Sequence, residues 1–160
     1  MLTATERPAL IAAIRALPDL LAGAVEDLTE AQLDQRSPAD PWTIRQLVHH
    51  VADSHLNSFV RVKLLLTEEH PTIKPYDQDA WVLLPDTVQA PIQASLALLR
   101  GLHARWTLLL DNVSEADWQR TVFHPEHGSI SLDDILVMYA AHGADHVAQI
   151  KRIREVEGWN

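Results

Sequence analysis

Residues 42–67 read "WTIRQLVHHVADSHLNSFVRVKLLLT". Ile44, Leu47, Val48, Val51, Phe59, Val62, Leu65 and Leu66 recur at three- and four-residue intervals, the period of a helix with one buried face. Thr43 with Gln46 forms a capping box, and Trp42 with Leu47 takes the two staple positions, so the spacing predicts a helix from Thr43 to about Thr67.

The same period recurs on either side. A first helix is expected from Arg7 to about Leu21, with Pro8 in its opening turn and Gly23 at its stop. A third runs from near Pro91 to near Asn112, and a fourth, opened by Ser131 and Asp134, runs toward Val156. Between the second and third lies "EEHPTIKPYDQDAWVLLPD", irregular and proline-rich, with a turn expected around "DQDAW". A connection of this length is uncommon in a compact domain and is often functional. "SEADW" (114–118) reads as a short helical turn, and "RTVFHPEHGSISL" as a small hairpin or ordered loop. There is no linker, repeat or low-complexity tract, so residues 1–160 are read as one domain, an all-α four-helix up-down bundle with long irregular connections.

The chain has no cysteine, which excludes disulfides, thiolate metal ligands and a cysteine nucleophile; any thiol chemistry needs a thiol co-substrate. A formal net charge of -9 without a basic run argues against nucleic acid and acidic lipid as partners. The longest apolar run, "ILVMYAA" (135–141), is too short to span a bilayer. The N-terminal residues lack a signal-peptide pattern, so a cytoplasmic location is the expectation.

Histidines interrupt this pattern. In the fourth helix Leu132, Ile135, Leu136, Tyr139, Ile150 and Ile153 share one side, and His142 and His146 fall in the same sector, one turn apart. Two imidazoles so placed can share a metal ion. Gly143 between them permits a neighbouring backbone to come close. In the second helix His50 lines up with Ser54, Asn57 and Arg61, a polar stripe bordering an apolar face; His55 sits at the centre of that face and His49 on the outer flank. Periodicity ranks these three as donors of a third ligand in the order His50, His55, His49. His103, among Leu96, Leu99, Trp106 and Leu110, is a fourth candidate.

The stretches "WTIRQLVHHVADSHLNSFVRVKLLLTEEHPTIKPYD", "HPEHG" and "AAHGADHVAQI" resemble the YfiT-like branch of the DinB superfamily over most of the chain, roughly Trp42 to Ile150. The resemblance implies a four-helix bundle holding one divalent metal ion, zinc or nickel, on three histidines. Carried over residue by residue, these are His50, His142 and His146. Members of the family are labelled metal-dependent hydrolases, and some resemble S-transferases that join the thiol bacillithiol to electrophiles; many are homodimers. The chain departs from the pattern at Gln149, where related chains carry a further histidine, which puts support of the metal or contacts to substrate in question.

Three imidazoles leave coordination positions free, the mark of a catalytic site. The expected partners are therefore small molecules, a thiol and an electrophile. Arg61 is the cation best placed for the carboxylates of such a thiol, with Ser54 and Asn57 as hydrogen-bonding neighbours and Lys74 at the mouth. Hydrolysis by water is the alternative, but no HExxH glutamate is present, and Asp53 and Asp145 lie toward the outer faces. A non-catalytic, metal-stabilised binding module is the third reading, which a fourth protein ligand from His55 or His103 would support. His124, Glu126 and His127 are read as decoration of the hairpin in preference to a lining of the site's entrance.

Overall fold

The computed structural model describes residues 2, 3 and 5–159. Among the described residues, seven α-helices and one hairpin follow in order: α1 (Arg7–Ala24), α2 (Glu30–Asp34), α3 (Ile44–Thr67), α4 (Gln78–Trp81), α5 (Pro85–Gln89), α6 (Ile92–Leu110), β1 (Thr121–His124), β2 (Gly128–Ser131) and α7 (Leu132–Glu157). A 3-10 turn, Asp117–Gln119, stands where a turn was expected in "SEADW". The four long helices are those read from periodicity, and they form a four-helix bundle. The first runs past Gly23 to Ala24 and carries Pro18 in its interior. Among the described residues no helix is long and apolar enough to cross a membrane.

Side-chain chemistry fixes the ends. Thr43 and Gln46 close the capping box that opens α3, and Ser131 with Asp134 does the same for α7. Gln46 also donates from Nε2 to the Val82 carbonyl, tying the 68–91 connection to the helix start. Two short helices have no counterpart in the sequence reading: α2, capped by Thr29 and Gln32, and α5, begun by Pro85. Arg45, 3% exposed, binds α2 to α3 through Asp34 and Glu30.

α1 and α6, α6 and α3, α3 and α7, and α7 and α1 pack as neighbours, so α1 faces α3 across the diagonal. The apolar core divides into two halves. One gathers Ile14, Phe59, Leu65, Trp106 and Leu136; the other gathers Leu21, Leu47, Val51, Leu99 and Ile150. Every long helix crosses from one half to the other, α1 and α7 in one direction, α3 and α6 in the reverse. Alternation of direction therefore holds between α1 and α3 and between α6 and α7. It is suspended between α3 and α6, because the 68–91 connection is long enough to travel back along the bundle: even a 20-residue helix spans only about 30 Å, whereas an extended chain covers about 3.3 Å per residue.

β1 and β2 pair antiparallel, Thr121 opposite Ser131 and His124 opposite Gly128, which turns the hairpin at φ 75°. The connection joins its edge where Ile73 N–H donates to Phe123 O and Phe123 N–H to Pro71 O.

A candidate metal centre at the waist of the bundle

The boundary between the two core halves is a layer of histidines. His50 and His55 come from α3, His103 from α6, His142 and His146 from α7. His50, His55 and His103 are buried at 3%, 0% and 1% exposure, so burial does not separate a ligand from its neighbours; ring orientation does. His142 Nε2 lies 3.3 Å from His50 Nε2 and 3.2 Å from His146 Nε2. The donor atoms of these three residues fall within 4.8 Å of one another.

The outer nitrogens set the tautomers. His146 Nδ1–H donates to Gln149 Oε1 at 2.7 Å, which leaves its Nε2 lone pair aimed at the centre. Gln149 Nε2 is in turn held by Asp40 Oδ2. His142 Nδ1 meets His55 Nε2 at 3.2 Å, so His55 can accept its proton and bare the second Nε2. Bare lone pairs 3.2–3.3 Å apart repel unless a cation lies between them. Two nitrogens bound at about 2.1 Å to one tetrahedral ion stand about 3.4 Å apart. The donor set therefore fits a single divalent ion.

Electrostatics point the same way. Burial, reinforced by His146, lowers His50 to about 4. Burial, His146 and His50 together lower His142 to about 3. Burial also lowers His146, although Gln149, Asp145 and Asp40 oppose it. All three rings are neutral at pH 7, the state a metal requires. Trp42, the residue that opens the motif, packs its edge on His50 with ring centroids 4.9 Å apart.

The remaining histidines are otherwise engaged. His49 bonds Ser95 Oγ at 2.7 Å and the Ala90 carbonyl at 3.1 Å. His103 Nδ1–H donates to the Ile14 carbonyl and its ring stacks on His55 at 5.0 Å. His55 touches the outer nitrogen of His142, not the centre. Among the described residues the triad has no fourth protein ligand. In and beside this layer, His55 Nδ1, Ser58 Oγ, His103 Nε2 and Trp106 Nε1 are buried without a partner among the described residues.

The polar stripe of α3 faces the 68–91 connection. Ser54 is buried, with Tyr76 of the connection nearby. Asn57 donates back to the Asp53 carbonyl. Arg61 donates from one nitrogen to the Lys74 carbonyl and lies 5.9 Å from the Tyr76 ring centre. Lys74 itself is exposed. Of the acidic residues weighed as bases, Asp145 is exposed. The carboxyl of Asp53 is pushed up to about 6 by burial and by Asp86 of α5. Gly143 admits a side chain rather than a backbone: a Cβ there would lie 2.5 Å from Leu17 Cδ2 of α1.

The sequence marked Gln149 only as a departure that put support of the metal in question, and His55 only as a candidate ligand; that both back a ligand ring is a finding of the structure. For Gln149 the signal was present, since a residue three beyond His146 lies beside it on a helix. For His55 the signal was its place on the apolar face, where an imidazole needs a polar neighbour.

A protein of Bacillus mycoides (strain KBAB4) named "Putative metal-dependent hydrolase" is 46% identical over 146 residues, 91% of this chain and 84% of that one. One of Oceanobacillus iheyensis given the same designation has the same identity and coverage. The structure of YfiT from Bacillus subtilis, described as "a probable metal-dependent hydrolase with an unusual four-helix bundle topology", is similar at a TM-score of 0.95 and 40% identity, over 100% of this chain and 92% of that one. The mycothiol-dependent maleylpyruvate isomerase shares the fold at a TM-score of 0.72 and 18% identity, over 94% of this chain and 63% of that one. The model of the DinB superfamily matches residues 13–150, which take in every long helix that builds the histidine layer, and the chain belongs to that superfamily.

Proposed function

We propose that the chain is a metal-dependent enzyme that activates a low-molecular-weight thiol of the bacillithiol kind for transfer to an electrophile. The observation that carries this reading is the convergence of three Nε2 atoms with no fourth protein ligand among the described residues. His50, His142 and His146 would hold one divalent ion, zinc or nickel by the chemistry of the donor set. When bound, the ion supplies Lewis acidity that lowers the pKa of a thiol or of a water molecule.

The chain's own residues do the rest. Gln149 and His55 hold two of the rings in the tautomer that presents Nε2. Burial keeps the rings neutral. Arg61 offers a guanidinium to an anionic substrate group, with Lys74 exposed on the adjacent connection and Ser54 and Asn57 along the stripe. The thiol must arrive with the substrate, because the chain has no cysteine. Neither acidic side chain considered as a base belongs to the group of donor atoms at the centre, which favours a nucleophile that needs only deprotonation there.

Hydrolysis is the second reading, and the designation carried by relatives at 46% identity favours it. The two separate in one experiment. Metal-loaded protein is presented with low-molecular-weight thiols and a generic electrophile, beside a panel of esters and amides without thiol. Conjugation that disappears in His146→Ala supports thiol transfer. Turnover of the ester or amide panel without thiol, lost in the same variant, supports hydrolysis.

A further inference from the structure

A small pocket with an apolar wall and a few polar groups lies next to the metal centre, between α3, α7 and the hairpin. Its volume is about 90 Å³, and its apolar wall is formed by Ile73, Ile130, Ile135 and Met138. Ser58, Arg61, His124 and His127 supply its polar lining. We propose that this pocket binds the carboxylate end of a small-molecule substrate, with Arg61, Ser58 and His124 as the donors.

Three observations carry the assignment. Ser58 is wholly buried at 0% exposure, and its Oγ has no partner among the described residues. A buried hydroxyl without a partner is an exception that calls for one, and an anionic oxygen supplies it. Arg61 makes no ion pair among the described residues and gives only one nitrogen to the Lys74 carbonyl, so guanidinium N–H groups remain for a ligand. The third observation is the tautomer of His124. Its Nδ1 accepts the Glu126 backbone N–H at 3.2 Å, so the neutral ring carries its proton on Nε2 and is a donor.

That tautomer also decides against a cation. The donor atoms of His124, Glu126 and His127 lie within 4.8 Å of one another, as those of the central triad do. In the triad, Gln149 draws the proton to the outer nitrogen of His146 and bares the inner one. In the hairpin, the bond from Glu126 N–H occupies one nitrogen of His124 and leaves the proton on the other. Arg61 adds a fixed positive charge to the same pocket, while the exposed Glu126 is outside its lining. Donors, one permanent cation and apolar walls describe a seat for a carboxylate on a short carbon chain.

The pocket adjoins the metal centre through Tyr139, which lines it and whose ring lies 5.6 Å from that of His142. Ser58 is eight residues along α3 from His50, roughly 12 Å at 1.5 Å per residue. A substrate anchored here would extend its reactive end along the polar stripe. This deepens the reading given under Proposed function and rests on it for the notion of a substrate, but its test does not require turnover.

Zinc-loaded protein is titrated with propionate and with its uncharged isostere propionamide, following amide chemical shifts. Propionate is expected to shift residues around Ser58, Arg61 and Ile130, and propionamide is not. Ser58→Ala, a change that removes only the unpartnered hydroxyl, and Arg61→Gln should each weaken propionate at least tenfold, with Arg61→Lys in between. Zinc affinity, measured by chelator competition, should not change in these variants. Equal binding of both probes, or propionate binding that survives both substitutions and vanishes with the zinc, overturns the proposal. A second equivalent of zinc lost in His127→Ala overturns it in favour of a metal site. Failure of the thiol and ester assays with propionate binding intact would refute the enzymatic reading and leave this one standing.

Discussion

At the scale of single residues, the centre depends on where protons sit on imidazole rings. Three histidines within seven positions of α3 are all buried, so hydrophobic patterning ranked His49, His50 and His55 without choosing among them. The choice came from the family resemblance, and the ring contacts now give it a physical reason: His49 is spent on Ser95 and Ala90, and His55 backs His142. Gln149 holds the proton of His146 on Nδ1. Replacing it with leucine removes that acceptor and frees the ring to rotate or change tautomer. Loss of such an outer partner lowers metal affinity by about 10–100-fold. Chelator competition on Gln149→Leu should show that loss with the helix content unchanged; an unaltered affinity would mean that packing alone orients His146. His55→Leu should act in the same direction through His142.

At the scale of elements, the sequence was most legible where a long apolar period met a recognisable cap. Thr43–Gln46 and Ser131–Asp134 opened α3 and α7 as expected. Helices of five residues, α2 and α5, contain too little of a period to register, although Thr29 with Gln32 spelled the same cap. The shared direction of α3 and α6 was not legible, because it depends on how a 24-residue connection travels and not on any local preference. Gly143 shows both sides. Its position between two histidines announced a close approach, but only the fold names the visitor, Leu17 of α1. Gly143→Ala forces a methyl against Leu17 Cδ2 and should destabilise the protein by about 1–3 kcal/mol despite alanine's better helix propensity. Urea unfolding would measure it. Leu17→Ala in the same chain should recover part of the loss, a coupling expected only of residues in contact; additive effects would show that Gly143 serves something other than this packing.

At the scale of the whole molecule, the bundle places its most polar layer at its middle, between two apolar halves. Neutral buried imidazoles there make the metal-free protein sensitive to acid. Burial lowers His49, His50, His55, His103, His142 and His146 below the ordinary histidine value of 6.5. The unfolded chain therefore binds more protons than the folded one as pH falls below 6.5, and stability falls with it. The loss continues until the folded rings themselves titrate, near 4 for His50 and near 3 for His142. For His50 alone the loss by pH 5 is about 2 kcal/mol. Asp53 acts oppositely, since its carboxyl, raised to about 6, keeps a proton that the unfolded chain would release. One carboxyl against six rings does not reverse the sign. Against a typical total of about 5–15 kcal/mol, the metal-free protein should lose most of its stability between pH 6.5 and pH 4.5. A bound ion must compete with the same protons, so zinc or nickel should raise the melting temperature strongly at pH 7.5 and progressively less toward pH 5. Thermal unfolding of the metal-free and metal-loaded protein across that range gives both curves. A metal-induced shift that is flat from pH 7.5 to pH 5, or one that survives in His142→Ala, would place the ion outside the histidine layer.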